Sequence, residues 1–450
     1  MSFRKYIIIV VLLVAYGKVY AQQDSTFTIQ QCLDIAIKNN LQVKQTNANT
    51  QLAGIDFRQA KENLIPSISA SGSRNYSQGR SLSATNTYVN QSQTADSYGV
   101  SAGVTIFNGF SLINAVKSAS LAYQAGKMNF QAAKDVVTVN VITNYLAILD
   151  NEEILAASKS QLAVQQETVD RMKVLEEQGA NKAASDLTDN EGQLAGNQVA
   201  VVNAENSLNA AKLSLFQQMN IQYQPGAKFA DINAENLTGN YGTDPEQAYQ
   251  TALQQFAAVK AATLSREAAE KNVSSQRGLL APSLVLNGGL GTNYYSTARK
   301  LSLVDSTQVP ISYSEQFRNN YNSYLTIGLN IPIFTNGLKR NNLDRAKINA
   351  LYARDVEENS KIALRQNIEQ AFYNMTSAYK RYEALMEQVK VYTESYRIYK
   401  LRFDSGVITS VDFIIAKNNL DGATVNLISA KYDYFIDSKI LDYYQGKLSL

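Results

Sequence analysis

"SYGVSAGVTIF" occupies residues 97–107. Tyr98, Val100, Ala102, Val104 and Ile106 alternate with Gly99, Ser101, Gly103 and Thr105. A period of two sends successive side chains to opposite faces of a strand. One face here is apolar and the other is small and polar. Such a strand either packs on a soluble core or crosses a membrane with lipid on one side and water on the other. The pattern returns in "YLTIGLNIPIF" (324–334), where Leu325, Ile327, Leu329, Ile331 and Ile333 alternate with Tyr324, Thr326, Gly328 and Asn330. Phe107 and Phe334 close the two stretches at an offset of 227 residues.

That offset belongs to a duplication of the whole chain. "AIKNNLQVK" (36–44) matches "ALQQFAAVK" (252–260), and "LIPSISASG" (64–72) matches "LAPSLVLNG" (280–288), both at an offset of 216. Gly179 and Gly406 keep 227, and Leu187, Leu194, Val201, Leu208 and Leu215 then match Phe413, Leu420, Leu427, Tyr434 and Leu441 at 226. Each half reads as helix, strand, loop, strand, very long helix, tight turn and returning helix. The first repeat covers 22–225, with strands at about 66–77 and 97–107, a long helix at 112–176, a tip turn at 177–186 and a return helix at 187–220. A linker follows at 226–245. The second repeat covers 246–450, with strands at about 282–295 and 322–334, a long helix at 340–403, a tip turn at 404–412 and a return helix at 413–446.

The long helices carry a coiled-coil seam. Ile368, Ala371, Met375, Ala378, Tyr382, Leu385, Val389, Tyr392, Tyr396, Tyr399 and Phe403 advance by alternating threes and fours. At 1.5 Å per residue such a helix is roughly 100 Å long. A plain coiled-coil stalk or adhesin would carry the same helices; the strands are what argue against it.

Composition excludes much chemistry. The 450 residues contain no His, no Trp and one Cys. Ser-His-Asp and Cys-His nucleophile pairs, His-based zinc sites and CxxC redox centres are therefore absent. No enzyme activity and no cofactor are expected. Residues 1–21 read as a secretory signal: Arg4 and Lys5, the apolar run 6–17, then "VYA" at 19–21. Without them the formal charge falls from +3 to zero, because Arg4, Lys5 and Lys18 go and no acid does. Nothing points to nucleic acid. Cys32 reads as a small packing residue.

Three features favour a membrane barrel over a soluble sheet. Strands of about ten residues suit a tilted crossing. Tyr76, Tyr98, Tyr294, Tyr295, Tyr321 and Tyr324 gather near the strand ends as an aromatic girdle would. The segments 77–96 and 296–320 are long and polar, as external loops are. Pro66 and Pro282 cannot continue a helix ladder and mark joints between helix and strand, with Phe107 and Phe334 at the opposite joints. In the strand after Pro66, Ile68 and Ala70 would face lipid and the serines water. Four strands cannot close a barrel, and open edges are not tolerated in lipid, so the chain must oligomerise.

The ordered set of features resembles the TolC-like outer membrane efflux proteins. "FTIQQCLDIAIKNNLQVK" (27–44) looks like the family's first helix, "PIFTNG" (332–337) like its second-strand exit, and "YKLRFDSGVITSVDFIIAKNNL" (399–420) like its periplasmic turn. The likeness covers nearly all of 24–446. It implies a mixed, predominantly α fold: a periplasmic α-barrel of long coiled-coil helices and a twelve-stranded β-barrel shared by a homotrimer. It also implies a periplasmic adaptor and an inner-membrane pump of RND or ABC type as partners, and outer-membrane lipid as surroundings. Tip residues Gly179, Ala180, Gly406, Val407 and Thr409 would dock the adaptor. Asp412 would face the pore as a constriction acid, or would simply favour its helix macrodipole; Asp186 is its first-half counterpart. Family members often carry a second carboxylate one turn on, where this chain has Ile415. The function implied is a passive exit duct for efflux or secretion, opened at its tips. The alternative is an extended structural or adhesive surface protein without a channel.

Overall fold

A computed structural model describes residues 26–82, 86–178, 184–232, 244–302 and 307–446. The leader 1–21, Gly179 and Ala180 of the first tip turn, and 233–243 of the linker lie outside the described residues.

The first half contains β1 (Thr26–Phe27), α1 (Ile29–Asn39), α2 (Leu41–Glu62), β2 (Ser67–Leu82), β3 (Tyr88–Phe107), α3 (Ser111–Glu177) and α4 (Ala184–Met219). After β4 (Lys228–Phe229), the second half repeats them as α5 (Pro245–Gln255), α6 (Ala257–Gly278) and β5 (Ser283–Tyr295). A hairpin of β6 (Arg299–Leu301) and β7 (Gln308–Pro310) and a short helix, α7 (Tyr313–Asn319), come next. Then follow β8 (Asn322–Asn330), α8 (Leu338–Asp404) and α9 (Ser410–Tyr444).

The chain forms two compact units. The described parts of Met1–Thr46, Phe130–Ala257 and Lys361–Leu450 make the first. Its core gathers Cys32, Val141, Tyr145, Ile148, Leu215 and Phe216, all shut off from solvent. Burial pushes the Cys32 thiol up to about 12, which fits a packing role and no reactivity. A capping box starts α1, Thr28 accepting from the Gln31 amide while Gln31 accepts from that of Thr28. Asn40 ends α1 and its side chain then accepts from the Gln42 and Val43 amides, starting α2. β1 pairs with β4 in parallel. The Tyr145 hydroxyl meets the carbonyls of Phe27 and Ala230 at 3.0 and 2.6 Å, and the buried Lys212 ammonium donates to Ala227 at 2.9 Å. These bonds fix the start of the linker.

Asn47–Asn129 and Ala258–Ser360 make the second unit. It holds one antiparallel sheet, in the order β2-β3-β5-β8, and helices bonded to one another in pairs. Ser111 and Ser275 hydroxyls meet at 3.1 Å, Ser118 donates to the Ala268 carbonyl at 2.8 Å, and Arg266 reaches Glu357 at 2.5 Å.

The strands differ from their sequence reading at the ends. The 77–96 segment, expected to be a loop, is mostly strand: β2 runs on to Leu82 and β3 starts at Tyr88, paired throughout. Antiparallel pairing needs only backbone groups, so it continues where no burial contrast marks it. β8 stops at Asn330 instead of 334, because Pro332 has no amide to donate. The 296–320 segment carries β6, β7 and α7 instead of free loop. The return helices start early, at Ala184 and Ser410, so the second tip turn is only 405–409.

Candidate functional site

Two places carry the functional geometry, one in each unit. In the sheet, register sets the faces. Ile68 pairs with Ala102, Ala70 with Val100, Val100 with Leu290, Val104 with Leu286, Leu286 with Ile327 and Leu284 with Leu329. All share one face, and its large members Ile68, Val100, Leu290, Leu325, Ile327 and Leu329 are exposed. The opposite face carries Ser69, Ser101, Gly289 and Tyr324 in one row, with the Ser69 and Ser101 hydroxyls 3.0 Å apart. An apolar face left bare next to a polar one is the signature of a barrel wall, not of a half-buried soluble sheet. β2 and β8 are the sheet's edges and have no strand partner on their outer sides among the described residues.

The tyrosines divide between the faces. Tyr76, Tyr98 and Tyr294 lie in register with the apolar side, whereas Tyr295 and Tyr324 lie on the polar side and leave the expected girdle. By length and composition the helix α3 could also cross a membrane, but 39% of that stretch is buried.

The joints repeat bond for bond. Leu64 and Ile65 donate to Lys61 and Glu62 just before Pro66; Leu280 and Ala281 donate to Arg277 and Gly278 just before Pro282. After Phe107, Gly109 and Phe110 both take positive φ; after Phe334, Asn336 and Gly337 do the same. A Cβ at Gly278 would come within 2.5 Å of the Gly109 carbonyl, so the two chain turns can only meet there as glycines.

At the tip of the first unit, α8 ends in a Schellman turn. Gly406, at φ +72°, donates to Phe403, and Val407 donates to Arg402. Thr409 is the N-cap of α9, but its side chain accepts from no amide of that helix. The caps come from α4: Asp186 accepts from the Ser410 amide at 3.2 Å and Asp189 from the Ser410 hydroxyl at 3.1 Å. Arg171 of α3 pairs with Asp404 of α8. Beneath them Phe403 and Phe413 stack at 4.8 Å over Met172. Asp412 is exposed, 3.4 Å from the Thr409 hydroxyl. Val407, Val411 and Ile415 are exposed along the same helix start. Sequence reasoning missed Asp189, although the 226 offset maps Ile415 onto it.

A duplicated chain with a four-stranded sheet bare on its apolar face, and with two very long helices, marks the class of membrane proteins built on strands. The particular family follows from sequence: the profile of the outer membrane efflux proteins matches residues 32–220 and 248–446, and the chain belongs to that family. It is an efflux channel of the Gram-negative outer membrane, in a family of channels and not of enzymes. The outer membrane efflux protein BepC of Brucella suis is 23% identical over 436 residues, covering 94% of this chain and 86% of that protein. The outer membrane protein TolC of Vibrio cholerae is 24% identical over 328 residues, covering 71% and 70%. The Campylobacter jejuni CmeC outer membrane channel shares the fold at a TM-score of 0.79 and 17% identity, over 93% of this chain and 86% of that one.

Proposed function

We propose that three copies of this chain close one twelve-stranded barrel and one helical tunnel, and that this trimer is the passive exit duct of a tripartite efflux or type I secretion assembly. The observation that carries the reading is the four-stranded sheet with one exposed apolar face and two unpartnered edges among the described residues. Lipid satisfies no backbone group, so such edges need strands from other copies. Residues 22–225 and 246–450 act as the two repeats, 226–245 as the linker between them, and 1–21 as the export signal. Pro66, Pro282, Phe107 and Phe334 mark the passage from tunnel to barrel.

In this reading a periplasmic adaptor docks on the tip turns, at Gly179 and Ala180 and at Gly406, Val407 and Thr409. The exposed Val407 and Val411 offer it apolar contact. Docking opens the tip by drawing Ser410 away from Asp186 and Asp189 and Arg171 from Asp404. Asp412 is the freer constriction acid, because Asp186 is engaged as a cap. An inner-membrane pump of the RND or ABC type supplies the cargo. Planar-bilayer recording with the purified, cross-linked trimer tests this. Discrete channel openings that increase when Asp186 and Asp189 are both changed to Asn support it; a soluble monomer without conductance refutes it.

A further inference from the structure

The row of side chains on the apolar face of β2 does not stay apolar. Beyond Ile68, Ala70 and Gly72 the same face presents Arg74. Its guanidinium is held hard: Nε and Nη2 each donate to Asp96 at 2.7 Å, from the facing position on β3. The Asp96 side chain is fully buried while 67% of that of Arg74 is open. Asp96 is shut in by α7, whose Tyr313 hydroxyl meets both the Asp96 carboxylate and, at 3.1 Å, the Tyr98 hydroxyl. The Tyr313 ring lies 4.7 Å from Tyr294, and Phe317 lies 6.0 Å from Tyr98. Thr292 and the buried Gln316 bond α7 down onto β5. The helix is therefore a ledge built on the outward face, with the rings of Tyr313 and Phe317 exposed.

We propose that Arg74 and this aromatic ledge form a docking surface for a phosphate-bearing lipid of the outer leaflet. Asp96 takes the Nε–Nη2 edge of the guanidinium, which leaves the Nη1–Nη2 edge of this largely open side chain for a second acceptor. That edge matches a phosphate in bidentate fashion. The buried carboxylate fixes its direction, so little side-chain freedom is lost on binding. The position selects a lipid over a free anion. Arg74 stands one outward-facing step beyond Gly72 and beside Tyr98, at the level where acyl chains give way to head groups. Tyr313 and Phe317 extend the apolar face to that same level, so acyl root and phosphate are met together. Pairing of another strand at the β2 edge uses backbone groups and leaves this face open. The inference rests on the reading that the apolar face meets lipid and that the helical end faces the periplasm.

The test uses the purified full-length channel in detergent and native mass spectrometry with three probes: bis-phosphorylated lipid A, its dephosphorylated form and inorganic phosphate. The wild type should prefer the phosphorylated lipid by about tenfold, with inorganic phosphate failing to displace it. The double variant Arg74→Gln with Asp96→Asn leaves no buried charge and should lose the preference. Equal binding of the two lipids by the wild type, an unchanged preference in the double variant, or displacement by inorganic phosphate each overturns the proposal. Should the double variant not assemble, Phe317→Ala keeps the ion pair and carries the test: weaker binding of both lipids supports the ledge and unchanged binding overturns it. Failure of the membrane reading itself shows differently, as wild-type protein recovered outside the membrane, and overturns the proposal with it.

Discussion

The two halves of the chain agree at the joints and differ at the tips. Where helix meets strand, hydrogen bonds recur 216 residues apart and left-handed pairs recur 227 apart, although most of the residues filling them have changed. At the tips, Asp186 and Asp189 of the first half stand at the same repeat positions as Asp412 and Ile415 of the second. The first pair caps the helix start of the other half, and the second pair is exposed and, among the described residues, caps no helix start of the first half. The joints answer a geometric demand that both halves meet equally. The tips have a division of labour, in which one half supplies acceptors and the other the helix end that needs them.

The largest effect is expected at a joint. Gly278→Val brings a Cβ within 2.5 Å of the Gly109 carbonyl and 2.9 Å of the Ser111 nitrogen. With backbone on both sides nothing yields, and a loss of about 3 kcal/mol or more should abolish assembled protein in membrane fractions. Gly192→Ala meets nothing within 4 Å and should leave assembly intact; equal losses would break the claim that the joint is special.

Next in size is the sheet. Ile68→Arg puts a charge on the apolar face only two residues past Pro66, near one end of the proposed crossing, at a cost of about 1–2 kcal/mol, between the interfacial and midplane values. Ser69→Arg, one residue on, lies on the opposite, polar face. Outer-membrane yield should separate the two variants, and equal yields would remove the face assignment.

The tip variants should be milder for stability and sharper for function. Asp186→Asn with Asp189→Asn weakens the cap of Ser410 by about 1 kcal/mol and should raise single-channel open probability. Asp412→Asn should change ion selectivity more than opening. If it opens the channel as readily as the pair does, the two tips have not divided their roles.

The smallest effect concerns pH. Burial first, and the charge of Asp433 second, push the carboxyls of Asp150 and Asp437 up to about 6. One Asp150 oxygen is buried without a hydrogen-bond partner among the described residues. The folded state holds these protons longer than the unfolded chain, whose aspartates titrate near about 3.9. The contribution of these two groups to stability is therefore fullest below about pH 4, falls as pH rises to about 6, and stays lowered above it. Asp150→Asn should flatten that dependence and stabilise the protein by about 1 kcal/mol at pH 7, read from melting curves at both pH values.

The sequence made legible whatever repeats or alternates. Val100, Ile327 and Leu329 need no register to be assigned a face, since period alone shows it, and Gly406 announces a helix end. What stayed hidden has no periodic trace. The outer half of the β2–β3 hairpin is polar on both faces, so no contrast betrays a strand. Arg74 and Asp96 become partners only once register is known. The seven residues of α7 are too few for a period, yet Ser312 and Glu315 stand three apart in the manner of a helix start, and the Ser312 hydroxyl does accept from the Glu315 amide. Asp189 was within reach through the repeat offset, but an acidic residue on a long polar helix gives no reason to look.

Everything proposed for the barrel depends on the alternation in 97–107 separating lipid from water. Spin labels placed singly from 99 to 105, in a Cys32→Ala background reconstituted into liposomes, read that separation residue by residue. High oxygen accessibility is expected at Val100, Ala102 and Val104, and high accessibility to a water-soluble nickel chelate at Gly99, Ser101, Gly103 and Thr105. Uniform values along the stretch, or the opposite phase, would refute the assignment of faces.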